Sequence, residues 1–167
     1  MPHSLILGMT ESGKTTKGKR LCVSYRVHGI KSIVLDPMND PQWNADFQTT
    51  DPETFLRMVW ASRRCAVFID EAGTAVGRYN DVMNETATKG RHWGHNMHYL
   101  TQGGTQLAPI VRNQCSHLFL FTTALSDAKI HANEWNAPEL AKASVLKQFE
   151  YYHATRYGEC TKCKLEM

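Results

Sequence analysis

Two short stretches carry the residue types that handle phosphate. Gly8-Met9-Thr10-Glu11-Ser12-Gly13-Lys14-Thr15 follows the pattern GxxxxGK[ST] in full. Glycines at those places let the backbone turn tightly, so that several N–H groups converge on phosphate oxygens. A helix starting at the end of the loop adds its positive N-terminal end. Lys14 then reaches the β- and γ-phosphates, the Thr15 hydroxyl ligates Mg²⁺, and Thr16 extends the cradle. The second stretch, "CAVFIDEAG", is an apolar run closed by Asp70 and Glu71. Asp70 is expected to hold Mg²⁺ through its water shell, and Glu71 to orient or deprotonate an attacking water. A general base next to a metal ligand points to hydrolysis. Alone, such an acidic pair would read as a solvated turn or a helix cap; behind a phosphate loop it reads as chemistry.

These residues need elements to hold them. "SLILG" (4–8), "SIVLD" (32–36), "CAVFID" (65–70), "MHYLTQ" (97–102) and "HLFLFTT" (117–123) are nearly continuous apolar runs, as expected of strands covered on both faces. Helices are expected at 14–28, 52–62, roughly 80–92, 105–114, 126–135 and 137–146. Strand alternating with helix predicts an α/β protein with a mostly parallel sheet. After residue 146 the pattern changes, and "YGECTKCKLE" reads as a β-hairpin added at a sheet edge. With no repeat, low-complexity stretch or linker, residues 1–167 read as a single domain.

The bulk composition sets limits. A chain of 167 residues with 42% apolar and 21% charged residues can bury a core without staples. No apolar run approaches the ~20 residues that span a bilayer, and "MPHSLILGMT" lacks the pattern of a signal peptide, so a cytosolic protein with no transmembrane segment is expected. Its five cysteines are odd in number and scattered, which favours thiols over disulfides. Cys160 and Cys163 form a lone CxxC, short of two further ligands for zinc. The net charge of +3 permits a nucleic-acid partner without arguing for one.

The segment "KGRHWGHNMHYLTQGG" (89–104) adds a resemblance. A basic residue, a glycine, an apolar strand and a terminal Gln102 resemble the fourth-strand region of the FtsK–HerA superfamily of P-loop ATPases. Together with "GMTESGKTT", "LDPMND" and the small size, they look most like the genome-packaging ATPases of tailless, internal-membrane bacteriophages of the tectivirus type. Residues 4–125 carry the likeness. It implies an ASCE-type P-loop fold with sheet order 5-1-4-3-2, ATP and Mg²⁺ as ligands, and a ring of subunits, six in number. It also implies Gln102 as a γ-phosphate sensor and an arginine acting on a neighbour's site, Arg91 ahead of Arg112. Double-stranded DNA and a capsid vertex or virion membrane protein are the implied partners. The place of work would be the host cytoplasm during assembly or the packaging vertex.

Other features have simpler readings beside functional ones. One segment carries Arg78, Tyr79, Lys89 and Arg91; if it lines a pore, Arg78 and Lys89 would grip DNA phosphates, and otherwise they form a solvated face. Lys17, Lys19 and Arg20 are a second basic cluster. His92, His95 and His98 recur every three residues, but Gly94 and the strand at His98 break any shared helical face for a metal. The four tryptophans read as packing residues. Two other enzyme readings stay open: a filamentous-phage-type assembly ATPase resembling the zonula occludens toxin group, and a small nucleotide kinase, for which the Arg63-Arg64 pair would have to act as a lid. A nucleotide-dependent scaffold is the third.

Overall fold

The computed structural model describes residues 3–75 and 80–167; Arg78 and Tyr79 lie outside the described residues. The sheet has eight strands: β1 (Ser4–Leu7), β2 (Ser32–Leu35), β3 (Phe47–Thr49), β4 (Ala66–Ile69), β5 (Asn96–Thr101), β6 (His117–Leu120), β7 (Glu150–Thr155) and β8 (Cys160–Lys164). Their order is β3-β2-β4-β5-β1-β6-β7-β8. The first six in sequence run parallel, with Ile6 beside both Leu100 and Phe119. β7 and β8 close the edge as an antiparallel hairpin. Counting only the five expected strands, the order is 5-1-4-3-2, with the expected hairpin next to the fifth.

Strand alternation divides the core in two. Leu5, Leu7, Val67, Ile69, Met97, Tyr99, Leu118 and Leu120 face one side. There they meet α2 (Pro52–Ala61), α4 (Asp81–Lys89), α5 (Pro109–Gln114) and α6 (Leu125–Glu134). Ile6, Val34, Phe68, Leu100, Phe119 and Phe121 face the other. That side is covered by α1 (Lys14–Val27) and by Trp43 from a 3₁₀ turn at Pro41–Trp43. Both faces carry helices, but unequally.

Local chemistry sets the ends. Asp51 accepts from Thr54 N–H ahead of Pro52, and the Asn80 side chain accepts from Met83 N–H, so α2 and α4 are both capped at their starts. Four expectations need correction, one being that the helix expected over 137–146 is a 3₁₀ helix, Pro138–Val145. The helix expected over 80–92 stops at Lys89 and continues as a 3₁₀ turn, Gly90–Trp93, ended by Gly94 at φ 76°. The one expected over 105–114 is split, because Pro109 has no N–H to donate and begins α5 afresh. β3 was not anticipated: its three half-buried residues form no apolar run.

Candidate functional site

Parallel strands bring the loops at their C-terminal ends to one edge of the sheet. The phosphate loop leaves β1 there. Gly8 N–H donates to Thr101 O and Met9 N–H to Thr122 O, so both neighbouring strands anchor it. A Cβ at Gly8 would lie 2.6 Å from Ser12 Oγ and 2.7 Å from Phe121 Cβ. Gly13 caps α1 at φ 118°, a conformation that only glycine adopts readily. Lys14 opens the helix and is 6% exposed. No ion pair among the described residues engages its ammonium, and the buried Ser12 Oγ has no hydrogen-bond partner. A cleft of about 470 Å³ opens over residues 11–16 and is closed on its far side by Gln148 and Phe149.

Two strands away, Asp70 follows β4. It is 7% exposed, and its Oδ1 accepts from Glu71 N–H at 2.9 Å. Burial pushes its carboxyl up to about 6; the Glu71 N–H opposes the shift, the Asp36 and Glu71 charges add to it, and Lys14 opposes it. Glu71 is exposed and held in the left-handed region, φ 52°. The short helix α3 (Ala72–Ala75) follows directly. Its Gly73 lies so close to the turn after β5 that a Cβ would meet Gln106 Oε1 at 2.5 Å and Thr101 Oγ1 at 2.7 Å. Gln102 stands on that turn, between the β4 and β1 loops, and its Nε2 donates to Thr10 Oγ1 at 2.9 Å.

Loop, acidic pair and amide thus share one edge. A buried ammonium and a buried hydroxyl at the mouth of a glycine-shaped loop fit a polyphosphate. The oxygen donors of Thr15 and Asp70 suit a hard cation such as Mg²⁺.

The other sequence candidates lie elsewhere. Arg91 is exposed on the 3₁₀ turn before β5, at the opposite end of the strand from Gln102, and donates to Gln114 O at 2.8 Å. It is placed away from its own chain's loop. Arg112 forms an ion pair with Glu134, beside Arg156 stacked on Trp135. Arg63 donates to Trp60 O and Ser62 O and covers the Trp93 ring, ahead of β4 and so at the far end from the loop. Lys89 pairs with Glu85. On α1, Lys17 sits over the Phe119 and Tyr151 rings, Lys19 pairs with Asp40, and Arg20 donates to Glu166 O.

Nor do the three candidate histidines gather. His95 accepts from Cys65 N–H and donates to Val59 O; His98 bonds Ser4 Oγ and Tyr25 OH; His92 is exposed. Cys160 packs on one face of the sheet and Cys163 on the other, so the two thiols cannot grip one ion. Trp43 and Trp135 are buried, and Trp60 meets Trp93 edge-on.

Three residues at the site were missed as site residues. Asp36 follows β2 beside Asp70, and the "LDP" closing an apolar run was its signal. Gln148 and Phe149 reach the loop only through the fold of the hairpin, and no sequence pattern marks them.

No family model and no curated protein sequence matches the chain. Solved structures do. The genome packaging NTPase B204 from Sulfolobus turreted icosahedral virus 2, in complex with AMPPCP, superposes with a TM-score of 0.84 at 19% identity, over 99% of this chain and 98% of that one. VirB4 of Thermoanaerobacter pseudethanolicus gives 0.74 at 10% identity, over 99% and 89%. The N-terminal domain of zonular occludens toxin from Neisseria meningitidis gives 0.52 at 20%, over 71% and 75%. At such identities the likeness is one of fold: an α/β P-loop NTPase with β5 inserted between β1 and β4.

Proposed function

We propose that the chain is an ATPase of the FtsK–HerA type that drives double-stranded DNA into a viral capsid. The observation that carries this is the shared edge: a buried Lys14 on the phosphate loop, the Asp70–Glu71 pair beside it, and Gln102 bonded to Thr10. The likeness to B204 over nearly its whole length supports the packaging role more strongly than the partial likeness to zonular occludens toxin supports an assembly role.

In this reading the N–H groups of residues 9–14 and the Lys14 ammonium hold the triphosphate, and Thr15 and Asp70 hold Mg²⁺. Bound there, the ion neutralises charge on the β- and γ-phosphates. Glu71 takes the proton of the attacking water. Gln102 reads the γ-phosphate from between the two strands, and its bond to Thr10 passes the reading to the loop. Arg91, remote from its own site and exposed, serves a neighbour's site in a ring of copies. Arg112 is already committed to Glu134. Residues 1–167 act as one domain, working in the host cytoplasm or at a packaging vertex, where a capsid or membrane protein receives the ring. Arg63 lies at the wrong end of the sheet for a kinase lid, which weighs against phosphoryl transfer to a small acceptor.

Phosphate release from ATP, measured with and without double-stranded DNA, tests this. DNA is expected to stimulate turnover, and Glu71→Gln to lower it about a hundredfold or more while leaving ATP binding intact. Turnover indifferent to Glu71→Gln would remove Glu71 as the base, and turnover indifferent to DNA in the assembled ring would remove translocation.

A further inference from the structure

The C-terminal hairpin is bonded to the phosphate loop at two points, and a third bond, from Leu165, ties the hairpin to Phe149. Phe149 N–H donates to Ser12 O at 2.9 Å, Gln148 Nε2 donates to Glu11 O at 2.9 Å, and Leu165 N–H donates to Phe149 O at 2.9 Å. Phe149 meets these demands at φ 69°, a conformation that a residue with a side chain keeps only when its surroundings impose it. Its ring lies against the loop: a Cβ on Gly13 would come 2.9 Å from Cδ1. Two cavities meet at this pair. One is the loop cleft; the other, of about 620 Å³, is lined by Gln148, Phe149 and the chain end from Lys164 to Met167.

Strand order gives the site a direction. Along the edge come Asp70 and Glu71 after β4, Gln102 after β5, the loop after β1, and then Gln148 and Phe149 before β7. Every group suited to water activation or γ-phosphate sensing stands on the β4–β5 side. A nucleotide with its terminal phosphate there has its base toward β7 and β8.

We propose that Phe149 and Gln148 form the nucleobase subsite, an assignment that rests on reading the loop as an ATP site. The Phe149 ring offers a stacking face, which tolerates any base. Gln148 adds selectivity. With its Nε2 held by Glu11 O, the amide of this cleft-lining residue has Oε1 left to accept, so it favours a base carrying an exocyclic amine. Adenine qualifies and hypoxanthine does not.

Calorimetric titration of the full chain with ATP, ITP and inorganic tripolyphosphate, in the Glu71→Gln background with Mg²⁺, tests the assignment. Phe149→Gly suits the left-handed backbone and keeps the turn while removing the ring. It is expected to weaken ATP about tenfold and leave tripolyphosphate unchanged, and Phe149→Tyr to bind ATP like the parent. The parent is expected to prefer ATP over ITP about fivefold, and Gln148→Leu to lose that preference. If Phe149→Gly weakens ATP and tripolyphosphate together, the ring only props the loop; if it weakens neither, the base lies elsewhere. Either result overturns the subsite while the phosphate site stands. Failure of the parent to bind ATP or tripolyphosphate would instead overturn the ATP reading itself.

Discussion

Asp70 shows what placing a metal ligand inside a fold costs. Its carboxyl is nearly buried beside Asp36, and the raised value of about 6 means that the folded chain resists giving up that proton. Between pH 3.8 and 6 the folded state therefore binds more protons than the unfolded one, and this residue's contribution to stability falls as pH rises through that window. At neutral pH Asp70 is charged and destabilising by about 3 kcal/mol, taking roughly 1.4 kcal/mol per unit. Asp70→Asn keeps the acceptor for Glu71 N–H and removes the charge. It is expected to raise the melting temperature at pH 7 by several degrees, to lose that advantage below pH 4, and to abolish Mg²⁺-dependent turnover. A melting temperature unchanged at pH 7 would mean that water or Lys14 already relieves the charge. Such a trade of stability for chemistry is usual at sites that hold metals and activate water.

At the scale of elements, α1 decides whether the loop is presented at all. Gly18 is the contact point: a Cβ there would meet Leu100 Cδ2 and Trp43 Cη2, each at 2.8 Å. Trp43 is wholly buried and cannot yield. Gly29, just past the same helix, has a φ of 75° and nothing within 4 Å of a built Cβ. Gly18→Ala gains helix propensity of about 1 kcal/mol and pays an overpacking cost of about 1–3 kcal/mol, so it is expected to destabilise and to weaken ATP binding. Gly29→Ala costs only the left-handed backbone, about 1 kcal/mol, with ATP affinity unchanged. Thermal melts beside ATP titrations separate the two; equal ATP affinities would uncouple helix seating from the loop. The elements legible in the sequence were those that apolar runs or caps announce. The five buried strands and the hairpin edge could be read, as could the loop and the acidic pair, because each is contiguous in sequence; the strand order is not local, and only the family resemblance implied it. The split at Pro109 was visible in principle, since a proline begins helices more readily than it continues them. β3 was not, since an edge strand of three half-buried residues has no periodicity to show. Phe149 and Gln148 were hidden for another reason: they meet Ser12 and Glu11 only after the chain has passed through the sheet and returned.

For the molecule as a whole, buried imidazoles set the response to acid. Burial lowers the values of His3, His95, His98, His117, His131 and His153, with His3 brought to about 4 and His98 to about 3. Each is neutral when folded and takes up a proton more readily when unfolded. Their shared contribution is therefore intact above pH 6.5 and lost as pH falls toward the folded values. Asp70 works the other way in part of that window, but it is one group against six. His98 matters most, since its ring joins Ser4 at the start of β1 to Tyr25 near the end of α1 and stacks on Phe68. A proton on both of its nitrogens would leave a buried charge with no carboxylate bonded to it. The midpoint of urea unfolding is expected to fall steadily from pH 7 to pH 5, and ATP binding at pH 5 to fail with the fold rather than before it. His98→Gln can accept from one hydroxyl and donate to the other without taking a proton. It is expected to start from lower stability at pH 7 and to lose less on acidification. A midpoint that is flat between pH 7 and 5, or a His98→Gln profile parallel to that of the parent, would place the acid sensitivity outside these buried rings.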